Sequence, residues 1–307
     1  MKSLSMLSQE YLTLRRALGF GLNRSEYELT RFIKFSSLNG SLTITNQLAV
    51  NWATQFGTAK GRSGSRRLQI VRLFAKYAAT EDPRHEIPHP MTLPPINKKR
   101  KMPYIYSEAD ILRIMEEAQK LPGRICSKTY YMLIGLLSCT GMRVGEAINL
   151  NQEDFNPLEG VLVIRKDKRG NTREILLDPS TVIQLQNYNK LRDTIFNNPK
   201  SEAFFVSNSG RRLHYNNVSP KVQRLLRKVG LYQDQQRTTI HDLRHAFAVK
   251  TLQKWYYQGH RVEAKLASLS TYLGHVSPSS TYWYLTATPE LMACAADRLE
   301  KKMRGYL

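Results

Sequence analysis

The sequence predicts a mainly α-helical chain with one small antiparallel β-sheet, divided into two globular parts. Apolar residues recur three and four apart through most of its length, which is helical spacing. One stretch, GVLVIRKDKRGNTREILLD, instead sets two short β-branched runs around a polar tip bearing Gly and Asn, the pattern of a hairpin. A segment with five prolines near residue 100 interrupts the helical spacing, and 307 residues suffice for two domains that each bury a core.

In chain order, residues 1–87 read as one helical domain. YELTRFIKFSSL and RRLQIVRLFAKYAA place Arg or Lys between their apolar positions, and the domain carries 13 Lys and Arg against 6 Asp and Glu. In GRSGSRRLQIVRLFAKY, Arg62, Arg66 and Arg67 stand at a Ser/Gly-rich helix entrance, where they reach a phosphate or merely solvate a helix end. Residues 88–106 form a linker, because its prolines remove backbone donors and stop helices. Its run of Lys98, Lys99, Arg100 and Lys101 lies between two basic parts, a position suited to track a DNA backbone.

Residues 107–307 form the second part. Ser107 is a natural N-cap for the amphipathic SEADILRIMEEAQKL. KTYYMLIGLLSCT is nearly all apolar and predicts a buried helix that stops at Gly141, after which MRVGEAINL starts another. The hairpin comes next, helical spacing resumes near residue 180, AFFVS reads as a short strand, and HDLRHAFAVKTLQKWYYQG as a helix. From about residue 287 a tail beginning near Pro289 puts Leu291, Met292, Ala295, Leu299 and Met303 in helical register.

Composition narrows the function. No apolar run approaches the roughly 20 residues a membrane span needs, and the N-terminus lacks the apolar region of a signal peptide, so no membrane partner is expected and the location is cytoplasmic. Three widely spaced cysteines give neither a disulfide framework nor metal-ligand spacing. With 46 Lys and Arg against 25 Asp and Glu, the net charge of +21 calls for a polyanionic partner, nucleic acid before others.

Several residue types suit phosphate chemistry. Arg143, in TGMRVGEA, sits at a helix start where backbone N–H groups also favour an anion, and Glu146 three residues on shares its face; a structural salt bridge would look the same. HDLRH puts His241 and Arg244 three apart, a proton carrier beside a bidentate phosphate grip, while His245, four from His241, reads as a packed or capped helix histidine before a second ligand or base. Lys166, Lys168 and Arg169 crown the hairpin, where a lysine either reaches into a groove or is solvated. His275 follows YLG, and TYWYLTATPE offers both Tyr282 and Tyr284.

The order of these motifs, Arg143, a hairpin lysine, His241 with Arg244, His275 and then Tyr284, resembles the tyrosine recombinase or phage integrase family over about residues 107–290. The resemblance implies a helical core-binding, SAM-like N-terminal domain and a recombinase catalytic domain closing on DNA as a C-shaped clamp. It implies that Tyr284, nine residues after His275, is the nucleophile rather than Tyr282, and that Lys168, five residues before Arg173, is the general acid with Lys166 as alternative. Pro289 and the helical tail resemble transposon-borne recombinases, including the recombinase-in-trio type.

The activity implied by the resemblance is strand exchange through a 3′-phosphotyrosyl bond, with neither metal nor ATP. Arg143 and Arg244 would clamp the phosphate, His275 would donate to it, His241 would help take the tyrosine proton, and Glu146 would orient Arg143. The partners implied are a double-stranded recombination site, a dimer on each of two sites forming a homotetramer, and room for accessory recombinases or DNA-bending proteins on the nucleoid. A monomeric type IB topoisomerase and a catalytically silent DNA-binding protein are the competing classes; every motif residue of the site is present, which counts against the second.

Overall fold

The computed structural model describes residues 2–55, 62–94, 102–165, 172–196, 201–232, 238–275, 277, 279–287 and 289–305, with backbone alone at 62, 286, 287, 289, 290, 294, 295, 298, 301 and 302. The chain packs as two compact units, Met1–Arg100 and Lys101–Leu307.

The first unit contains α1 (Leu4–Ala17), α2 (Asn23–Leu38), α3 (Asn46–Thr54) and α4 (Arg62–Glu81). Ser3 and Thr45 cap α1 and α3 by accepting from Met6 and Leu48 N–H groups. Leu29, Phe32, Trp52, Val71 and Phe74 are fully buried at the centre, each contributing about 1.5–3 kcal/mol of apolar transfer. The Ser/Gly stretch expected as an entrance to α4 is already within its first turns. After α4 the chain stays on this unit: buried His85 accepts from the Ile44 N–H through Nδ1 at 3.0 Å, and Ser65 donates to the Pro94 carbonyl at 2.8 Å.

In the second unit Ser107 caps α5 (Glu108–Gln119) in a complete capping box with Asp110. The central α6 (Cys126–Thr140) is buried on most of its faces, as its continuous apolar run requires, and α5 packs along it. After the short α7 (Val144–Asn149) and a single 3-10 turn come β1 (Phe155–Asn156), β2 (Val161–Ile164) and β3 (Arg173–Leu176). They form one antiparallel sheet in the order β1-β2-β3, with Val161 opposite Leu176 and Ile164 opposite Arg173. AFFVS departs from the expected strand: it makes only isolated bridges, Asn151 with Ala203 and Val206 with Arg212, because Phe204 and Phe205 are both drawn into the core around Tyr188.

The unit is completed by α8 (Pro179–Ile195), α9 (Tyr215–Lys228), α10 (Asp242–Tyr257), α11 (Val262–Leu273), α12 (Ser279–Ala287) and α13 (Pro289–Met303). A separate apolar cluster unites Val249, Leu252, Leu266, Leu269, Leu273, Tyr284 and Leu291 from four of these helices. The tail helix α13 lies along α10 and α12 of its own unit, burying Leu291. Met292, Leu299 and Met303 stay exposed, at 58%, 61% and 80%.

Candidate active site

Two helix ends build the site, and each ends on a glycine in the left-handed region. Gly141 closes α6 at φ 61°, where an added Cβ would come within 2.4 Å of the Phe247 ring. Gly274 closes α11 at φ 64°, where a Cβ would stand 2.8 Å from the Arg173 guanidinium. The C-terminal carbonyls of a helix lack partners within it and carry its negative dipole end. Here three arginines take up three successive ones: Arg173 Nε donates to the Tyr272 carbonyl at 3.0 Å, Arg244 Nη2 to Leu273 at 2.6 Å, and Arg143 Nη2 to Gly274 at 2.7 Å. Arg244 also donates through Nη1 to the Gly141 carbonyl at 2.9 Å, tying both helix ends together.

One carboxylate organises the Arg143 and Arg173 guanidiniums. Glu146 accepts from Arg143 Nη1 at 2.7 Å, from the Arg143 backbone N–H at 2.8 Å, and from Arg173 Nη2 and Nη1 at 2.7 and 3.2 Å. Burial by itself would raise its pKa, but the bonds from Arg173 and Arg143 outweigh that and hold the carboxyl below the ordinary Glu range. A folded pKa below the unfolded one gives stability present above the unfolded value and lost as pH falls through the folded one. Glu146→Gln is therefore expected to unfold about 3 kcal/mol more easily at neutral pH, the scale for breaking a buried pair. Its urea midpoint should fall less than the wild type's between pH 5 and pH 3; equal midpoints at neutral pH would refute the role given to Glu146.

The site has a surplus of positive charge, with three guanidiniums against this carboxylate among the described groups. Burial, and then Arg143, lower the Arg244 pKa to about 10. Burial, with Arg244 and Arg143 behind it, likewise lowers His241 below its ordinary value, so that ring is neutral at pH 7. Such a setting favours an entering anion, which relieves the repulsion.

Beside the arginines stands a row of rings. His241 precedes the first turn of α10, and its ring meets that of His245 edge-on, 4.8 Å between centroids. His245 Nδ1 is 2.9 Å from the Tyr284 hydroxyl, and Trp283 closes against both rings. On the far side the His275 ring stacks on Tyr284 at 6.2 Å, with His275 Nδ1 2.7 Å from the Thr281 hydroxyl. Thr281 and Tyr284, three apart on α12, share its buried face at 1% and 2% exposure; Tyr282 turns outward at 53%.

Arg143, Glu146, His241, Arg244, His275 and Tyr284 thus converge from α7, α10, the end of α11 and α12. Lys166, Lys168 and Arg169 lie outside the described residues, as do Lys98, Lys99, Arg100 and Lys101. Of the cations on α4, Arg66 is exposed, whereas Arg67 turns inward, donating to the Ala53 carbonyl at 3.2 Å beside Glu28 at 3.8 Å. At Arg62 only the backbone is described. Two site residues went unassigned in the sequence. Arg173 served only to mark a spacing, although strand alternation puts it on the same inward face as buried Ile175. His245 read as packing, and only the approach of α12 to α10 brings a hydroxyl to its ring.

Known proteins resemble this chain in sequence and in fold. Residues 105–290 match the Phage integrase family. The putative integrase/recombinase y4rB of Sinorhizobium fredii is 41% identical over 302 residues, 96% of each chain, and the tyrosine recombinase XerA of Pyrococcus furiosus is 27% identical over 78% of this chain and 76% of its own. Among solved structures, the XerH site-specific recombinase bound to palindromic difH substrate has a TM-score of 0.65 at 22% identity, over 97% of this chain and 85% of that one. The Tn1549 transposon integrase in complex with transposon right end DNA has a TM-score of 0.60 at 15% identity, covering 96% and 99%. At those identities the structures share the fold, while the family match and the 41% identity carry the assignment: the chain belongs to the phage integrase family and is a tyrosine recombinase.

Proposed function

We propose that this recombinase cuts and rejoins double-stranded DNA at specific sites through a 3′-phosphotyrosyl intermediate formed by Tyr284. The observation that carries the reading is the Tyr284 hydroxyl held by His245 within a pocket whose cations outnumber its carboxylate. A phosphodiester resists a neutral hydroxyl until its charge is masked, and fixed donors in a site of low water content mask it best. Arg143 and Arg244 hold the non-bridging oxygens, Arg173 keeps Glu146 against Arg143, and His275 donates as charge grows. The phenol proton passes to the histidine pair on α10, Tyr284 oxygen bonds to phosphorus, and the 5′-oxygen leaves with a proton from Lys168. The new ester conserves the phosphodiester energy, so a second 5′-hydroxyl can reverse the step without ATP or metal.

A polyanionic partner fits further features of the molecule. A groove of about 910 Å³ at the start of α9 is lined by Arg211, Arg212, His214, Lys221 and Arg224. The XerH complexes contain difH substrates, and a lambda integrase tetramer is bound to a Holliday junction; by analogy this chain acts as a dimer on each of two DNA sites, in the cytoplasm on nucleoid DNA. The test is to incubate the protein with nicked duplexes from the ends of its own element. An SDS-resistant, protease-sensitive adduct joined to the 3′-phosphate end left at the cut is expected, and bound DNA without adduct would refute the mechanism.

For assembly, the exposed side of α13 is the surface we assign to a neighbouring protomer, since Leu299 and Met303 are apolar and uncovered. Changing both to serine should leave single-site adduct formation within twofold while the mass of the two-site complex, by light scattering, drops below that of a tetramer. An unchanged mass would remove α13 from the interface.

A further inference from the structure

We infer that His245, rather than His241, accepts the proton from Tyr284 in the cleavage step and returns it on rejoining; this rests on the phosphotyrosyl mechanism proposed for the site. A general base must stand within hydrogen-bond reach of the proton it abstracts, and geometry comes before titration in choosing it. His245 Nδ1 lies 2.9 Å from the reacting oxygen, inside that reach. His241 meets the other face of this arrangement: its ring packs edge-on against His245 at 4.8 Å, one place further along the row. The helix explains the division. His241, Arg244 and His245 share a face of α10 at i, i+3 and i+4, so Arg244 and His241 address one neighbourhood while His245 projects one residue further toward α12.

The surroundings suit a base that must act without water. Tyr284 is 2% exposed, and the Trp283 ring stands 5.6 Å from His245 and 5.4 Å from Tyr284. The described rings that meet His245 are His241 on its own helix and Trp283 and Tyr284 on α12, with His275 stacked beyond Tyr284. Atoms and electrons balance in the step. The Tyr284 O–H bond breaks and its proton goes to Nδ1; the phenolic oxygen pair forms the bond to phosphorus; the P–O5′ bond breaks and its electrons leave with the 5′-oxygen, protonated by the general acid. Rejoining runs the same transfers backwards, with the imidazolium giving its proton to the phenolate as it departs.

The decisive experiment measures single-turnover adduct formation on the nicked duplex. His245→Ala is expected to slow it by about 10²–10⁴-fold, the range for acid–base catalysis, with DNA affinity and the circular dichroism spectrum retained. His245→Asn keeps a hydrogen-bonding group near Nδ1 but cannot take a proton, and should be as slow as alanine. Trifluorotyrosine at position 284, a more acidic nucleophile, should restore His245→Ala to within about tenfold of wild type, which repair of a packing defect would not do. If asparagine restores the rate, His245 only positions the hydroxyl and the proposal falls; it falls too if alanine is as fast as wild type.

Should the variants at 245 fail to fold, His241→Asn decides. An acid limb of the pH–rate profile that persists there, unmoved by trifluorotyrosine at 284, leaves His245 as the base. Loss of that limb transfers the role to His241 and overturns the proposal. If wild-type protein itself binds DNA but forms no adduct, the phosphotyrosyl reading fails first, a result distinguishable from any failure confined to His245.

Discussion

Tyr284→Phe will form no covalent adduct with nicked DNA, whereas Tyr282→Phe will form it within about twofold of the wild-type rate. Two residues apart on a helix, the side chains point roughly 200° away from one another, and the difference in exposure follows from that. Tyr282 is 53% exposed, while Tyr284 is 2% exposed with its hydroxyl against His245. Phenylalanine keeps the ring among Val249, Leu252 and Leu273, so the loss is one hydrogen bond, about 1 kcal/mol of stability. Tyr284→Phe should consequently fold and bind the duplex as wild type does. Adducts counted by denaturing gel beside gel-shift affinities on the same samples give the comparison. Adduct retained in Tyr284→Phe, or lost in Tyr282→Phe, would move the nucleophile.

Arg244→Lys should be nearly as damaging to chemistry, though the charge is kept. Arg244 spans two helix ends with two separate nitrogens, one on the Gly141 carbonyl and one on Leu273, and this leaves the rest of a planar fork to face a phosphate. A lysine ammonium is a single point donor that cannot bridge both carbonyls and still reach an anion. One carbonyl is then left buried without a partner, at about 1–3 kcal/mol, and the transition state loses a fixed donor, about 10²–10³-fold in rate. The adduct rate should fall by that factor, with a lower urea midpoint, and DNA affinity should change by only a few fold, since the change keeps the charge in a chain of net charge +21. A rate within tenfold of wild type would show that Arg244 serves only to join α6 to α11.

The candidate site was expected from the resemblance of its motif order to the tyrosine recombinases, and short spacing alone carried only part of it. Arg143 with Glu146, and His241 with Arg244, stand three apart in short motifs whose spacing is local. A helix turns i, i+3 and i+4 positions onto one face wherever it packs, so such spacing survives folding. The hairpin was legible for the same reason, since β2 and β3 alternate with period 2 around a polar tip. AFFVS was not, because a short run rich in aromatic residues suits a buried loop as well as a strand, and the core around Tyr188 and Phe204 took it.

Local pattern therefore determined the mainly helical class and the basic character of the chain, while the residue set of the candidate site followed from the order of its motifs and the family it resembles. Which groups actually touch was decided by tertiary structure alone. No spacing relates Arg173 to Glu146, 27 residues away in sequence, or His245 to Tyr284, 39 away, and each contact forms only when separate elements bury their apolar faces together. The same holds for the three arginines on the Tyr272, Leu273 and Gly274 carbonyls. Those carbonyls are unpartnered within the helix because α11 ends there, and they are met by cations because the packing of α6, α10 and β3 leaves guanidiniums as the donors within reach.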